Sequence, residues 1–289
     1  FMVILMNGII ITNKQKGFTS RDVVNIVSKE LNTKKVGHTG TLDPIATGVL
    51  VLCIGNATKI VDMITSYDKE YVAEFILGIE TDKLDITGTI INKKEINIDE
   101  NKLKQAINSF VGKYNQTVPK YSAVKINGKK LYEYARESID IELPARLIEI
   151  KEIQLLEYID NKVKIKCNVS KGTYIRSLIR DIGIKLDTYA TMISLTRTKQ
   201  GNFNIENSYT LEDIKNNNYN IITIEETLKD YPSVIVDEYI ENKVRNGAII
   251  DKFFDTDMAV IYNKDNKLLA IYKTYDKDFT KVKPYKMFI

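Results

Sequence analysis

Tryptophan is absent from the 289 residues, and histidine occurs once, as His38. The two cysteines, Cys53 and Cys167, lie far apart and each sits inside an apolar run. One histidine and two cysteines are too few for a structural zinc site, which draws four ligands from such residues, so no metal is expected. The cysteines read as buried thiols in a reducing compartment, not as a disulfide. Long hydrophobic runs are also missing. The opening FMVILM segment has no basic flank and is too short for a signal peptide or a membrane span. No later stretch approaches the roughly eighteen uninterrupted apolar residues of a membrane helix. A soluble, cytoplasmic protein is therefore expected. Phe1 is not an initiator, which leaves the native start of the chain open. Charge of one sign is lacking too: the net value is +4, from 42 basic and 38 acidic residues. That excess is too mild to establish a polyanionic partner, so where the charges cluster matters more than their sum.

What is present suits a large domain with a smaller one after it, since 44% of residues are hydrophobic and 28% charged. GIIIT (8–12) reads as a buried strand, and a helix follows with Thr19 or Ser20 as cap and Val23, Val24, Val27 and Leu31 at helical spacing. VLVLCI (49–54) is continuous, as a strand covered on both faces requires. YVAEFILG (71–78) mixes apolar and polar positions as a long strand does. A helix is predicted after Asp99, with Leu103, Ala106, Ile107 and Phe110 on one face and Gly112 as its stop. KVKIKCNV (162–169) alternates strictly, and a helix opens after Gly172-Thr173. Around Asn216-Asn217-Asn218 the chain turns polar, and from Pro232 onward only short strand-like runs separated by turns remain. A mixed α/β domain followed by a small all-β module is the expected architecture.

Three stretches carry possible chemistry. In GHTGTLDPIATG (37–48), Pro44 keeps Asp43 out of a helix interior, and the neighbouring glycines allow tight loop geometry. The plain alternative makes Asp43 the cap of a short helical turn begun by Pro44 and stopped by Gly48. A phosphate-cradling loop is excluded, because no Gly-Lys-Ser/Thr follows and the loop leads into a strand. Residues 113–136 hold Lys113, Lys120, Lys125, Lys129, Lys130 and Arg136 against one acid, Glu133, with Tyr114, Tyr121, Tyr132 and Tyr134 interleaved. Cations that neutralise phosphates beside rings that stack on bases suit looped RNA, although such a run is as readily a solvated face. In SKGTYIRSLIRDIG (170–183), Arg176 falls near a helix start, where a guanidinium can clamp a carboxylate or phosphate.

GHTGTLDPIATGVL, YSAVKINGKKLYEYAR and SKGTYIRSLIRDIG, in this order, resemble the TruB family of tRNA pseudouridine synthases, from about Gly8 to the C-terminus. The resemblance implies an α+β pseudouridine-synthase fold, with a central mixed, largely antiparallel sheet flanked by helices. It implies a catalytic domain over 1–231, with an RNA-closing insertion at about 113–147, and a PUA-like RNA-binding module over 232–289. Its implied activity converts uridine 55 in the T-loop of tRNA to pseudouridine without cofactor or metal. Asp43 matches the family's catalytic aspartate, Tyr71 the tyrosine that stacks on the target base, and Arg176 the arginine paired with the aspartate. His38 resembles the histidine that meets the remodelled T-loop. Tyr174 and Leu195 match positions lining the uracil pocket, and Lys171, Lys14, Lys125 and Arg136 are carried over as RNA contacts.

The residue types suit that chemistry. A carboxylate can start glycosidic cleavage as nucleophile or base, a guanidinium favours its charged form, and an aromatic face replaces stacking lost by an extruded base. Three departures stand out: Asn13-Lys14-Gln15 replaces Asp-Lys-Pro, Lys120 follows Pro119 where a second proline is common, and Ser138 stands where glycine is usual. A stand-alone enzyme, monomeric and without an obligatory protein partner, is the expected form. The alternatives are the catalytic subunit of a guide-RNA particle and a tRNA-folding chaperone with incidental catalysis.

Overall fold

The computed structural model describes residues 6–289, so the opening FMVIL and the question of its native start lie outside the described residues. β1 (Gly8–Lys14) is the expected buried strand. α1 (Ser20–Glu30) begins where Thr19 and Asp22 bond each other's amides, at 3.1 and 2.8 Å, which closes a capping box. β2 (Val36–His38) and β3 (Thr47–Ile54) pair antiparallel, and the loop between them carries Asp43. A 3₁₀ turn and the short helix α2 (Val61–Thr65) lead to β4 (Lys69–Leu77), whose odd-numbered residues are all buried. β5 (Ile79–Thr81) and β6 (Ile90–Lys93) form a separate hairpin.

α3 (Glu100–Asn108) is capped by Asp99, as expected, but ends before Gly112. The amides of Phe110 and Val111 bond the carbonyls of Ile107 and Asn108 as turns, and Gly112 instead opens β7 (Gly112–Thr117). The basic, tyrosine-rich segment then folds as the small hairpin β8 (Lys125–Ile126) and β9 (Lys129–Lys130) followed by α4 (Leu131–Arg136). Ser138, just after α4, has φ 56°, which explains why glycine suits that position. β10 (Ala145–Ile159), β11 (Lys162–Val169), α5 (Ile175–Lys185), β12 (Ala190–Gln200) and β13 (Phe203–Asn204) complete this part. Two short helices capped by threonines, α6 (Leu211–Lys215) and α7 (Ile224–Leu228), follow.

Among the described residues nine strands form one sheet, ordered β1-β3-β12-β4-β11-β10-β7, with β2 added on β3 and β13 on β12. Every strand pair in it is antiparallel except β3 with β12, which run parallel at Thr47–Thr196 and Gly48–Arg197. One face packs Ile10, Leu50, Leu52 and Phe75 against Val23 and Val27 of α1, Leu103 of α3 and Leu178 and Ile182 of α5. The other face of β1 and β3 packs Ile9, Ile11, Val49 and Val51 against Ile60 and Ile64, and against Val260, Leu268 and Ile271 of the C-terminal unit. Burial on both faces is why these strands read as continuous apolar runs. Cys53 and Cys167 are both free and buried, and burial pushes their thiols up to about 12.

The C-terminal unit is a second sheet, of five strands ordered β14-β16-β17-β18-β15: β14 (Ser233–Ile235), β15 (Ile250–Asp251), β16 (Met258–Tyr262), β17 (Leu268–Tyr275) and β18 (Asp278–Met287). It also carries a helix absent from the all-β expectation, α8 (Glu238–Arg245). Asp237 caps it through the Ile240 amide at 2.9 Å, acids fill its first turn, and Lys243 and Arg245 its last. With Val244 its only buried residue, the apolar periodicity was too thin to reveal it.

Gly48 sits at the parallel junction with φ 96°, and a Cβ there would lie 2.3 Å from the Arg197 carbonyl oxygen. Gly17 has nearly the same φ, 95°, with nothing within 4 Å of a Cβ. Gly48→Ala is therefore expected to cost at least about 2 kcal/mol more than Gly17→Ala in urea unfolding, because only the first adds a backbone collision to the φ strain.

Candidate active site

The loop from Thr39 to Ala46 is held at both ends by buried groups. Lys14 donates to the carbonyls of Phe18, Gln15 and Pro44, at 2.6, 3.1 and 3.4 Å. The Gly17 amide also bonds Pro44, at 2.8 Å, and the Ser20 hydroxyl receives the Leu42 amide, at 2.8 Å. On the other side Arg197 donates from Nε to Val49 and from Nη2 to Gly40, at 2.7 and 3.0 Å. Pro44 and Ile45 make one turn, closed by the Ala46 amide on the Asp43 carbonyl at 3.0 Å, and no helix follows. Asp43 thus caps no helix, and its carboxylate is free to pair elsewhere.

Its partner is Arg176, in the first turn of α5, with Nε 2.9 Å from Asp43 Oδ2. Nη1 and Nη2 of the same guanidinium donate to the carbonyls of Lys83 and Tyr121, at 3.1 and 3.0 Å. The arginine side chain is 5% exposed and the aspartate 37%, so the cation is locked while the carboxylate stays reachable. Gln116 clamps the start of α5 by accepting the Tyr174 amide at 2.8 Å and donating to the Tyr174 carbonyl at 3.2 Å. A planar, rigid cation beside a half-open carboxylate keeps that carboxylate oriented for attack or proton transfer.

Beside this pair lies a cavity of about 420 Å³, walled by Asp43, Tyr71, Lys171, Tyr174, Arg176 and Leu195 together with Lys69, Ser122 and Arg197. Tyr71 and Leu195 come from the paired strands β4 and β12 and are each 7% exposed. Burial raises the Tyr174 phenol above its ordinary value. His38 lies just outside the wall, half-buried on β2, with Nδ1 accepting the Gly40 amide at 3.3 Å. That bond leaves its proton on Nε2, and burial with nearby Arg197 and Arg21 lowers its pKa. Lys125 and Arg136 are exposed on the insertion and do not line the cavity.

Two expectations are corrected. Lys14, expected to touch RNA, has no exposed surface, and its ammonium is spent on the carbonyls beneath the Asp43 turn. The tyrosines of the insertion are also less open than expected. Lys130 and Arg136 lie over Tyr132, at 5.4 and 5.2 Å, and Lys129 lies over Tyr134, at 4.9 Å. Residues that sequence reasoning missed are Lys69, Gln116, Ser122 and Arg197. Gln116 and Ser122 stand inside the 113–136 stretch already singled out, and Lys69 and Arg197 lie two residues from Tyr71 and Leu195, but a charged residue in a strand carries no sequence mark of being buried. A larger cavity, of about 860 Å³, opens beyond the Ser66–Asp68 turn between Tyr67, Phe203 and Tyr231, and none of the expected site residues lines it. Among the described residues no group of three or more His, Cys, Asp and Glu side chains gathers. Nor is any helix among them long and apolar enough to cross a membrane.

The model of the TruB family pseudouridylate synthase N-terminal domain matches residues 28–175, and that of the tRNA pseudouridylate synthase B C-terminal domain matches 176–235. A "tRNA pseudouridine synthase B" of Clostridium tetani is 46% identical, over 90% of this chain and 93% of its own. One of Fusobacterium nucleatum is 45% identical, over 93% of this chain and all of its own. Among solved structures, an H/ACA RNP bound to a substrate RNA containing 2′-deoxyuridine superposes with a TM-score of 0.73 at 26% identity, covering all of this chain and 86% of that one. A Cbf5-Nop10-Gar1 complex does so with 0.70 at 29%, covering 92% and 78%. Fold, site and relatives together define a pseudouridine synthase. Within that class the chain belongs to the TruB family, whose N-terminal model spans the Asp43 loop, Tyr71 and the insertion.

Burial pushes the Lys14 ammonium down to about 8, against the pull of Asp43 upward. The unfolded chain therefore binds more protons than the folded one between pH 8 and the ordinary lysine value of about 10.4, and stability rises with pH across that window. Denaturant unfolding of wild type and Lys14→Met over pH 7–10.5 is expected to show wild type gaining on the variant as pH rises. Parallel curves would place the charge of Lys14 in solvent.

Proposed function

We propose that the protein isomerises uridine 55 in the T-loop of tRNA to pseudouridine, without cofactor or protein partner, in the cytoplasm. The observation that carries this reading is the Asp43–Arg176 pair, 2.9 Å apart, at a cavity walled by Tyr71. Asp43 is the essential carboxylate, oriented by the guanidinium beside it. The target base must leave its stack to reach that carboxylate, and the face of Tyr71 replaces the lost stacking, worth about 1–3 kcal/mol per base. Tyr174 and Leu195 shape the base pocket, and Lys171 binds RNA at its edge. His38 meets the T-loop as a neutral imidazole, consistent with its lowered pKa. Lys125 and Arg136, both exposed on the insertion at about 113–147, bind phosphates as that insertion closes over the RNA. Residues 1–231 are the catalytic domain and 232–289 a PUA-like module that binds RNA.

Support for a stand-alone tRNA enzyme comes from the relatives named tRNA pseudouridine synthase B, at 46 and 45% identity. The H/ACA RNP and the Cbf5-Nop10-Gar1 complex match at only 26 and 29%. The decisive measurement is tritium release from C5-labelled uridine in an unmodified T-arm stem-loop, with mapping of the product position. Wild type should release tritium unaided, and Asp43→Asn should reduce release to background while binding the stem-loop within a few-fold of wild type. Binding without release by wild type would sink the enzymatic reading, and release only with added guide RNA and proteins would make the chain a particle subunit.

Arg176→Ala is expected to lower the single-turnover rate about 10²–10³-fold with a small change in RNA affinity, because it removes the group that orients the carboxylate. An unchanged rate would take Arg176 out of the mechanism.

A further inference from the structure

Cations gather on one wall of the catalytic cavity. Lys69, Lys171 and Arg197 all line it; burial pushes the Lys69 ammonium down to about 8, and Arg197 and Lys171 lower it further against an upward pull from Asp68. Among the described residues, none of the three makes an ion pair. Asp68, next to Lys69 in the chain, turns to Lys151 at 2.5 Å instead. The one carboxylate lining the cavity, Asp43, is held by Arg176.

Lys69 and Arg197 are 7% and 1% exposed, whereas Lys171 is exposed, so the charged strip runs from the cavity edge to its floor. Gathering like charges in a poorly hydrated place is costly unless an anion joins them. The donors also do not balance. Lys69 gives two protons to the carbonyls of Thr65 and Tyr67, both at 2.6 Å, and an ammonium has three. Arg197 uses two of its five N–H donors, on the carbonyls of Val49 and Gly40, and through them holds the Asp43 loop. Lys69 is thus a buried cation with a donor left over, and it lies on the same face of β4 as Tyr71, two residues along, whereas Arg197 is tied to the backbone of the Asp43 loop.

We propose that Lys69, with Lys171 at the edge, forms an anion subsite that takes a phosphodiester of the RNA strand next to the extruded nucleotide. This rests on the proposed reaction, because only an extruded nucleotide brings its flanking phosphate to the cavity. Lys69 supplies a desolvated charge and the exposed Lys171 an adaptable one. The strand is thereby fixed a short way from Tyr71, which sets the depth to which the base enters. The bonds of Lys69 to the Thr65 and Tyr67 carbonyls, at the end of α2, pre-position the ammonium and pay no new ordering cost when RNA arrives.

The test is a scan of the T-arm stem-loop in which each phosphodiester around the target uridine is replaced, one at a time, by an uncharged methylphosphonate. Wild type and Lys69→Gln are both measured for Kd, salt dependence and single-turnover tritium release. One flanking linkage is expected to weaken wild-type binding about tenfold when neutralised. Lys69→Gln is expected to bind the all-phosphate RNA about tenfold more weakly, with the slope of log Kd against log salt reduced by about one, and to be indifferent to that one linkage alone. If every neutral linkage costs the variant what it costs wild type, the subsite is wrong. A Lys69→Gln protein with unchanged Kd but a slower chemical step would also overturn it, assigning Lys69 to the base. So would lowered thermal stability with normal RNA coupling, which would make Lys69 only the stop of α2. Should Lys69→Gln not fold, the wild-type scan still decides: no sensitive linkage beside the target uridine refutes the proposal. Tritium release by wild type from the all-phosphate RNA is read separately, so failure of the reaction and failure of the subsite are distinguishable.

Discussion

The Asp43 loop is held by buried cations giving their protons to backbone carbonyls. Lys14 grips the Pro44 end and Arg197 the Gly40 end, and among the described residues neither makes an ion pair. Charges of this kind are expensive to bury, and the expense is tolerated where a loop must be rigid. The result is a carboxylate whose backbone cannot yield, facing a guanidinium whose three nitrogens are all engaged. One of those engagements is the carbonyl of Tyr121, inside the basic insertion. The insertion therefore reaches the catalytic pair through its backbone as well as through any side chain it offers to RNA.

Much of this was legible in the sequence, for separate physical reasons. The helices α1, α3 and α5 announce themselves because each buries one stripe and carries a cap or a glycine nearby. The doubly covered β3 shows as an unbroken apolar run. Asp43 and Arg176 could be named as a pair only through resemblance, since they are far apart in sequence and meet because α5 starts where the loop before β3 ends. What stayed hidden is the burial of charge. Lys14, Lys69 and Arg197 look like ordinary strand residues until their carbonyl partners are seen. Likewise the tyrosines of the insertion advertised open faces, and the lysines and arginine that made the segment look RNA-binding are the groups covering them.

The two sheets are less independent than a change of texture near residue 232 suggests. Val260, Leu268 and Ile271 belong to the same apolar cluster as Ile9, Val49 and Ile64. At the edge of that contact Asp62 of α2 accepts from the Tyr285 hydroxyl at 2.6 Å and from Lys286 at 2.9 Å, and Lys59 donates to the Met287 carbonyl at 2.5 Å. The same α2 ends at Thr65, whose carbonyl holds Lys69 in the catalytic cavity. A single helix of five residues thus touches the C-terminal sheet with one end and the site with the other.

The two cysteines offer something practical. Both are sealed in apolar surroundings that hold them as neutral thiols far above physiological pH, and only a thiolate reacts at useful speed. Slow reaction of the folded enzyme with maleimides and disulfide reagents is the expected consequence. A single cysteine placed on the exposed insertion would be the sole attachment point for a dye, and its fluorescence would follow the insertion in real time without first stripping native thiols from the core.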